Sequence, residues 1–88
     1  MANIRSAEKR ARIAKVRALR NASRKSAMKT AIKRFEAALA EGNKEAVEAT
    51  FKKAVRLIDK NAAKGIIHPN ARDRKKSQLA RKLNQAQL

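Results

Sequence analysis

The chain has 88 residues, of which 24 are Lys or Arg and seven are Asp or Glu, and its formal charge is +17 at pH 7. This length fits one small domain, and the charge points to nucleic acid or an anionic membrane as the partner. Because Cys is absent and the only aromatic residues are two Phe, the composition excludes disulfides and Cys-based zinc sites and argues against platforms that stack single-stranded bases.

The first predicted element is a helix from about residue 5 to residue 40, and its two halves differ. The second half carries a core-facing stripe with 4, 3, 4 spacing, made of Met28, Ile32, Phe35 and Leu39. The first half has no such stripe. Residues 1–35 contain twelve basic residues and one acid, Glu8, and at about 100° per residue the bases point to every side. A surrounding polyanion explains this pattern best.

The second predicted helix spans residues 44–64. Gly42 suits the left-handed position after a helix, and Asn43 suits the next N-cap. The 4, 3, 4 spacing recurs in Val47, Phe51, Ala54 and Ile58. Basic residues occupy the opposite side of this helix, namely Lys52, Lys53, Arg56 and Lys60. This is the clearest amphipathic helix of the chain.

A short connector after Gly65 leads to the third predicted helix, residues 69–85. Pro69 fits the first helical position, where its missing N–H costs nothing, and either His68 or Asn70 is the cap. Leu79, Leu83 and Ala86 are expected to face inward, with Arg72 and Lys76 on the same side. The sequence thus predicts an all-α fold of three helices, because Ala, Lys, Arg and Glu, which favour helix, dominate between its Gly and Pro residues.

The predicted core is small. It consists of Met28, Ile32, Phe35, Leu39, Val47, Phe51, Ile58, Leu79 and Leu83, with Ile66 or Ile67 as a plug. Burial of each large apolar side chain contributes roughly 1.5–3 kcal/mol, whereas ordering the backbone costs about 1–2 kcal/mol per residue. We therefore expect marginal stability for the bundle alone, and no intramolecular reason for residues 5–25 to stay ordered.

Several segments together resemble one family. Met-Ala-Asn-Ile-Arg-Ser-Ala opens the chain and Lys9-Arg10 follows; Leu19-Arg20-Asn21 and Lys25-Ser26 precede Met-Lys-Thr-Ala-Ile-Lys at residues 28–33. Lys-Gly-Ile-Ile-His at 64–68 precedes Asn70 and Arg-Lys-Lys-Ser at 74–77. In this order they resemble the family of the twentieth protein of the bacterial small ribosomal subunit, over nearly the whole chain. Pro69 and Gln78 depart from the pattern, where Lys and Arg are common.

The resemblance implies a single rRNA-binding domain over residues 1–88, a three-helix bundle whose long, highly basic first helix projects into RNA. The implied function is structural: direct binding of 16S rRNA, at the 5′ domain and the long penultimate helix, and stabilisation of its tertiary fold during and after assembly. The implied protein is a cytoplasmic, ribosomal, single-copy component with few protein contacts, no homo-oligomer, no membrane partner, no cofactor, no metal and no enzymatic activity.

Basic side chains can neutralise phosphates, and small polar side chains can bond phosphate or ribose hydroxyls. The predicted RNA-binding residues are Asn3, Arg5, Ser6, Lys9, Arg10, Arg12, Arg17, Arg20, Asn21, Arg24, Lys25, Lys29, Thr30, Lys33, His68, Asn70, Arg72, Arg74, Lys75, Lys76 and Ser77. The competing interpretations are a solvated basic face, small polar residues that only keep the first helix thin, and packing roles for Arg72 and Lys76.

Two other function classes are set against this one. A membrane-active helix needs an apolar face opposite its bases, which residues 1–25 lack. A histone-like, nonspecific DNA-binding protein is compatible with the composition, because backbone electrostatics does not choose between DNA and RNA; only the motifs favour rRNA. The single histidine, His68, has no partner for catalysis or metal binding, which argues against an enzyme.

Overall fold

The computed structural model describes the backbone of residues 2–86 and the side chains of residues 3–86; Met1, the first residue of the opening motif, lies outside them. Over that range the chain forms three helices and no strand: α1 (Ala2–Glu41), α2 (Lys44–Ala63) and α3 (Pro69–Gln85). The predicted all-α class with a long first helix is confirmed. The molecule measures 65 × 22 × 13 Å because α1 extends well beyond the other two helices.

The turn between α1 and α2 follows the predicted chemistry of Gly42 and Asn43. Gly42 has a φ of 74°, and its N–H donates to the carbonyl oxygens of Ala38 at 3.0 Å and Leu39 at 3.2 Å. Asn43 is the N-cap of α2, where its side-chain oxygen accepts a hydrogen bond from the Ala46 N–H at 3.3 Å. The two residues together satisfy backbone groups that helix ends leave without partners.

The end of α2 is a Schellman motif. Gly65 has a φ of 74°, its N–H donates to the Ala62 carbonyl at 3.0 Å, and the Ile66 N–H donates to the Asn61 carbonyl at 2.9 Å. The helix stops at Ala63, with Lys64 as its C-cap, where the sequence suggested an end near residue 64.

His68, not Asn70, caps α3. The Nδ1 atom of His68 accepts a hydrogen bond from the Asn70 N–H at 3.0 Å, and Pro69 occupies the first helical position as predicted. The structure therefore decides between the two caps that the sequence left open.

The core lies mainly between α1 and α2, and Leu79 joins it from α3. The buried hydrophobic residues are Met28, Ala31, Phe35, Ala38, Val47, Ala54, Ile58 and Leu79. Five predicted core residues only pack against this cluster while partly exposed: Ile32, Leu39, Phe51, Leu83 and the plug residue Ile67. Helical spacing identifies the inward face, but the small Ala31 and Ala38 are buried while the larger Ile32 and Leu39 beside them stay partly exposed.

The two phenylalanines meet across the helix pair. Their ring centroids lie 5.6 Å apart with the planes tilted by 53°, an arrangement that aromatic pairs prefer. Phe35 is fully enclosed and Phe51 is not, so Phe51 covers one edge of the core and Phe35 fills its centre. Within residues 2–86, every helix either is too short or carries too many polar residues to serve as a membrane span.

Candidate nucleic-acid interface

Residues 3–27 lie outside the core, since Met28 is the first of the described side chains of α1 that is buried. We call residues 3–27 the projecting half of α1; at 1.5 Å per residue it is roughly 40 Å long. Within residues 3–27 only the side chains of Ser6 and Arg24 are partly covered, and all the others are exposed. Its larger apolar side chains stand exposed among bases: Ile4, Ile13, Val16 and Leu19.

The projecting half begins where α2 ends, and one hydrogen bond marks the junction. Asn61 is only 3% exposed, and its Nδ2 donates to the backbone carbonyl of Arg24 at 3.2 Å. The Asn61 carbonyl in turn accepts from the N–H groups of Ile66 and Ile67. We call this junction the elbow, because it ties α1, the end of α2 and the connector to α3 at one point.

One face of α1 is apolar and buried on one side of the elbow and basic on the other. Met28 and Phe35 lie on the face that packs on α2, and Arg24, Arg17 and Arg10 continue that same face upstream at spacings of seven residues, close to two helical turns. Downstream of the elbow this face is buried and apolar; upstream it is basic and faces no helix of the described chain. Charged residues at these positions cannot extend the bundle core.

A concave basic surface lies inside the elbow. It is lined by Arg17, Arg20, Asn21 and Arg24 of α1 and by Lys64 at the end of α2. Four of these five residues were predicted from sequence. Lys64 was not, although it belongs to one of the motifs, because only the return of α2 to α1 brings it there.

The connector and the start of α3 lie at the same end of α2 as the elbow, since α3 begins five residues after Lys64. His68, Asn70, Arg74 and Ser77 are exposed, and Lys75 is partly covered. Because the Nδ1 of His68 accepts a hydrogen bond, Nε2 is the ring nitrogen left to donate to a phosphate or ribose oxygen.

Two predicted contact residues have protein partners. Arg72 pairs with Asp73 at 3.0 Å, and Lys76 pairs with Asp59 of α2 at 3.2 Å. Both pairs are half exposed, and such pairs contribute about 0–1 kcal/mol. Arg72 and Lys76 can therefore each leave the carboxylate for a phosphate with only a small loss of folding free energy.

The remaining predicted residues are spread along the molecule. The structure exposes Asn3, Arg5, Lys9, Arg12, Lys25, Lys29, Thr30 and Lys33 on the rest of α1. They do not converge on one pocket, and they form a long surface instead.

Asn61 was not identified from the sequence. The signal for it was its position three residues after Ile58, which places this Asn on the buried side of α2. Within the described residues, no group of three His, Asp or Glu side chains could hold a metal ion.

Comparison with known proteins tests the family resemblance over nearly the whole chain. The family model for Ribosomal protein S20 matches residues 2–84. The chain is 52% identical over 86 residues to the small ribosomal subunit protein bS20 of Heliobacterium modesticaldum, with 98% of each chain covered. It is 51% identical to the protein of that name from Desulforamulus reducens, with 96% of each covered, and 50% identical to that of Shouchella clausii, also with 96% of each covered. The resemblance found in the motifs is confirmed, and the chain belongs to the ribosomal protein S20 family.

Proposed function

We propose that the chain binds 16S rRNA directly through the exposed face of α1, chiefly its projecting half, and through the connector and the start of α3, and that it stabilises the tertiary fold of that RNA during and after assembly. As a member of its family the chain is a structural constituent of the small ribosomal subunit, acts in the cytoplasmic ribosome and is not an enzyme. The observation that supports the proposed contact most is the basic face of α1 upstream of the elbow, at the positions of Arg10, Arg17 and Arg24.

The proposed mechanism is electrostatic. Exposed Lys and Arg side chains neutralise phosphates and release condensed counterions. Because the projecting half is basic on every side, it can touch several RNA segments at once and lower their mutual repulsion. The hydrogen bond from Asn61 to Arg24 and the packing around Met28 fix the angle between the bundle and the projecting half of α1.

The RNA partners we propose are the 5′ domain and the long penultimate helix of the small-subunit rRNA. Support comes from the family motifs and from the presence of two basic surfaces near the same end of α2, one on α1 and one at the start of α3. We further propose a single copy per subunit with few protein contacts. A charge of +17 opposes association between copies.

The residues proposed to contact RNA are the 21 polar and basic residues predicted from sequence. His68 is proposed to do so through Nε2, in addition to its capping role. Arg72 and Lys76 are proposed to exchange their pairing with Asp73 and Asp59 for phosphate. The lack of exposed aromatic side chains among the described residues supports recognition of backbone and shape rather than of stacked bases.

A competition and footprinting experiment tests this function against the histone-like alternative. Chemical probing of naked 16S rRNA with the parent protein is expected to protect defined segments in the 5′ domain and the penultimate helix. Equal masses of duplex DNA are expected to compete poorly at moderate salt. Protection spread evenly over the RNA, with DNA competing as well as rRNA, would support the nonspecific DNA-binding protein instead.

A further inference from the structure

A row of basic residues on α2 is not used by the function proposed above. Every fourth residue from Lys52 is basic, and the row ends at the C-cap of the helix. We call it the α2 ladder; its members are Lys52, Arg56, Lys60 and Lys64, all exposed. Its first three members lie roughly opposite the buried stripe of Val47, Ala54 and Ile58, so they point away from the rest of the bundle.

The positive charges of the α2 ladder repel one another in the free protein. Like charges four residues apart on a helix destabilise it, and the ladder contains three successive pairs of this kind. Among residues 3–86 the ion pairs involve the bases Arg72, Lys76 and Lys82, so no carboxylate there lies within ion-pair distance of the ladder. Asp59 is adjacent to Lys60, yet it pairs with Lys76 across to α3. Within residues 3–86 no ion pair neutralises the ladder, and a row of phosphates is a counter-charge that fits its spacing.

The ladder is also continuous with the elbow. A shallow concavity follows Lys52, Arg56 and Lys60 along α2, together with Lys53. A separate concavity is the elbow surface, which Lys64, one step beyond Lys60, lines with Arg17, Arg20 and Arg24. At 1.5 Å per residue the ladder rises about 6 Å per step and about 18 Å in all. A single backbone segment can therefore follow it from the open face of α2 into the elbow.

We propose that the α2 ladder is a second RNA-backbone site, which seats an rRNA segment on the outer face of α2 and guides it to the elbow at Lys64. This inference rests on the proposed function for the identity of the ligand, and adds a surface to it. RNA held on the ladder and RNA held along the projecting half of α1 are joined through one rigid helix pair. Binding at the first surface raises the effective concentration of RNA at the second.

The test compares two triple variants that lose the same charge. The ladder variant carries Gln in place of Lys52, Arg56 and Lys60. The control variant carries Gln in place of Arg34, Lys44 and Arg81. All six side chains are exposed and helical, and Gln matches Lys and Arg in helix propensity. We expect the ladder variant to bind 16S rRNA at least tenfold more weakly than the control, with a salt slope lower by about 2–3, at about 0.7–0.9 per phosphate contact. In footprints it should lose one protected segment that the control retains.

The two proposals fail in different ways. If the ladder and control variants lose affinity equally while replacing Arg10, Arg17 and Arg24 with Gln weakens binding strongly, the ladder is a solvated face and only this inference is wrong. If all three triple variants bind like the parent, the binding role proposed for the projecting half of α1 is wrong as well, and recognition falls to residues 68–77.

A variant that adds charge tests the same surface by a gain of binding, which a loss of folding cannot imitate. Glu48→Lys lengthens the ladder by one step at the same spacing of four residues, and Glu41→Lys makes the same charge change at the end of α1. Both glutamates are exposed. Glu48→Lys is expected to tighten rRNA binding several-fold more than Glu41→Lys, and equal gains would overturn the inference.

Discussion

Asn61 and Arg24 are 37 residues apart in the chain, and the side chain of one donates to the backbone carbonyl of the other at 3.2 Å. Asn61 is the one buried polar residue among residues 3–86. A buried amide needs partners, and here its partner is the helix that leaves the bundle at this point. The bond therefore couples the position of the projecting half of α1 to the end of α2.

Replacing Asn61 with Ala should loosen the elbow. The expected loss of stability is about 1 kcal/mol for the hydrogen bond, and rRNA affinity should fall because the projecting half is no longer held at one angle. Thr50→Ala is the control: its Oγ1 bonds only its own helix, to the Ala46 carbonyl at 2.6 Å. Thermal melts and rRNA titrations check both variants, and equal rRNA affinity of the two would contradict a positioning role for Asn61.

The projecting half of α1 should be largely frayed in the free protein at low salt. Residues 3–27 contribute no buried side chain, so packing does not stabilise their backbone hydrogen bonds, and helices without tertiary support are marginal. Amide exchange is expected to be fast between Arg5 and Lys25 and slow around Phe35 and Ile58. Strong protection from Arg10 to Arg20 without RNA would show that the helix is stable by itself.

Replacing Arg10, Arg17 and Arg24 with Gln should weaken rRNA binding and flatten its salt dependence. Each lost phosphate contact is expected to reduce the slope of log affinity against log salt by about 0.7–0.9. The melting of the bundle should change little, because Arg10 and Arg17 are exposed and Arg24 uses only its backbone in the elbow bond. Binding equal to that of the parent protein at every salt concentration would leave recognition to residues 68–77 and the α2 ladder.

The core should depend more on Phe35 than on Phe51. Phe35 is 0% exposed, whereas Phe51 is only partly buried, so truncation leaves a cavity in the first case and an opened edge in the second. Phe35→Ala is expected to cost roughly 3–5 kcal/mol, which is enough to unfold a domain of marginal stability. Phe51→Ala should cost less and leave a measurable melt. The reverse order of the two melts would place the centre of the core at Phe51.

The two roles of His68 can be separated with two substitutions. His68→Asn keeps a side chain that can cap α3 but removes the imidazole donor, whereas His68→Ala removes both. We expect rRNA affinity to fall by a similar factor in both variants, and the melting temperature to fall clearly only in His68→Ala. If His68→Asn binds like the parent protein, His68 serves the cap alone.

The sequence by itself determined the class of the fold and the class of the partner. Spacings of 4, 3 and 4 around Phe35 and Val47 identify buried helix faces, Gly42 and Gly65 mark helix ends, and a charge of +17 without exposed aromatic platforms selects a nucleic-acid backbone. These features depend on residues close in the chain or on simple sums, so no tertiary information is needed to read them.

The tertiary structure decided which residues meet across the chain. Only the packing of α2 on α1 shows that Asn61 reaches Arg24, that Lys64 joins the elbow surface, and that Lys76 is paired with Asp59. Likewise, His68 rather than Asn70 is the cap because the backbone of His68 is extended and its side chain reaches the Asn70 N–H. The sequence does not decide this, because His and Asn are both polar residues that can accept such a bond. Pair distances of this kind follow from helix crossing and loop geometry, and a one-dimensional pattern carries neither.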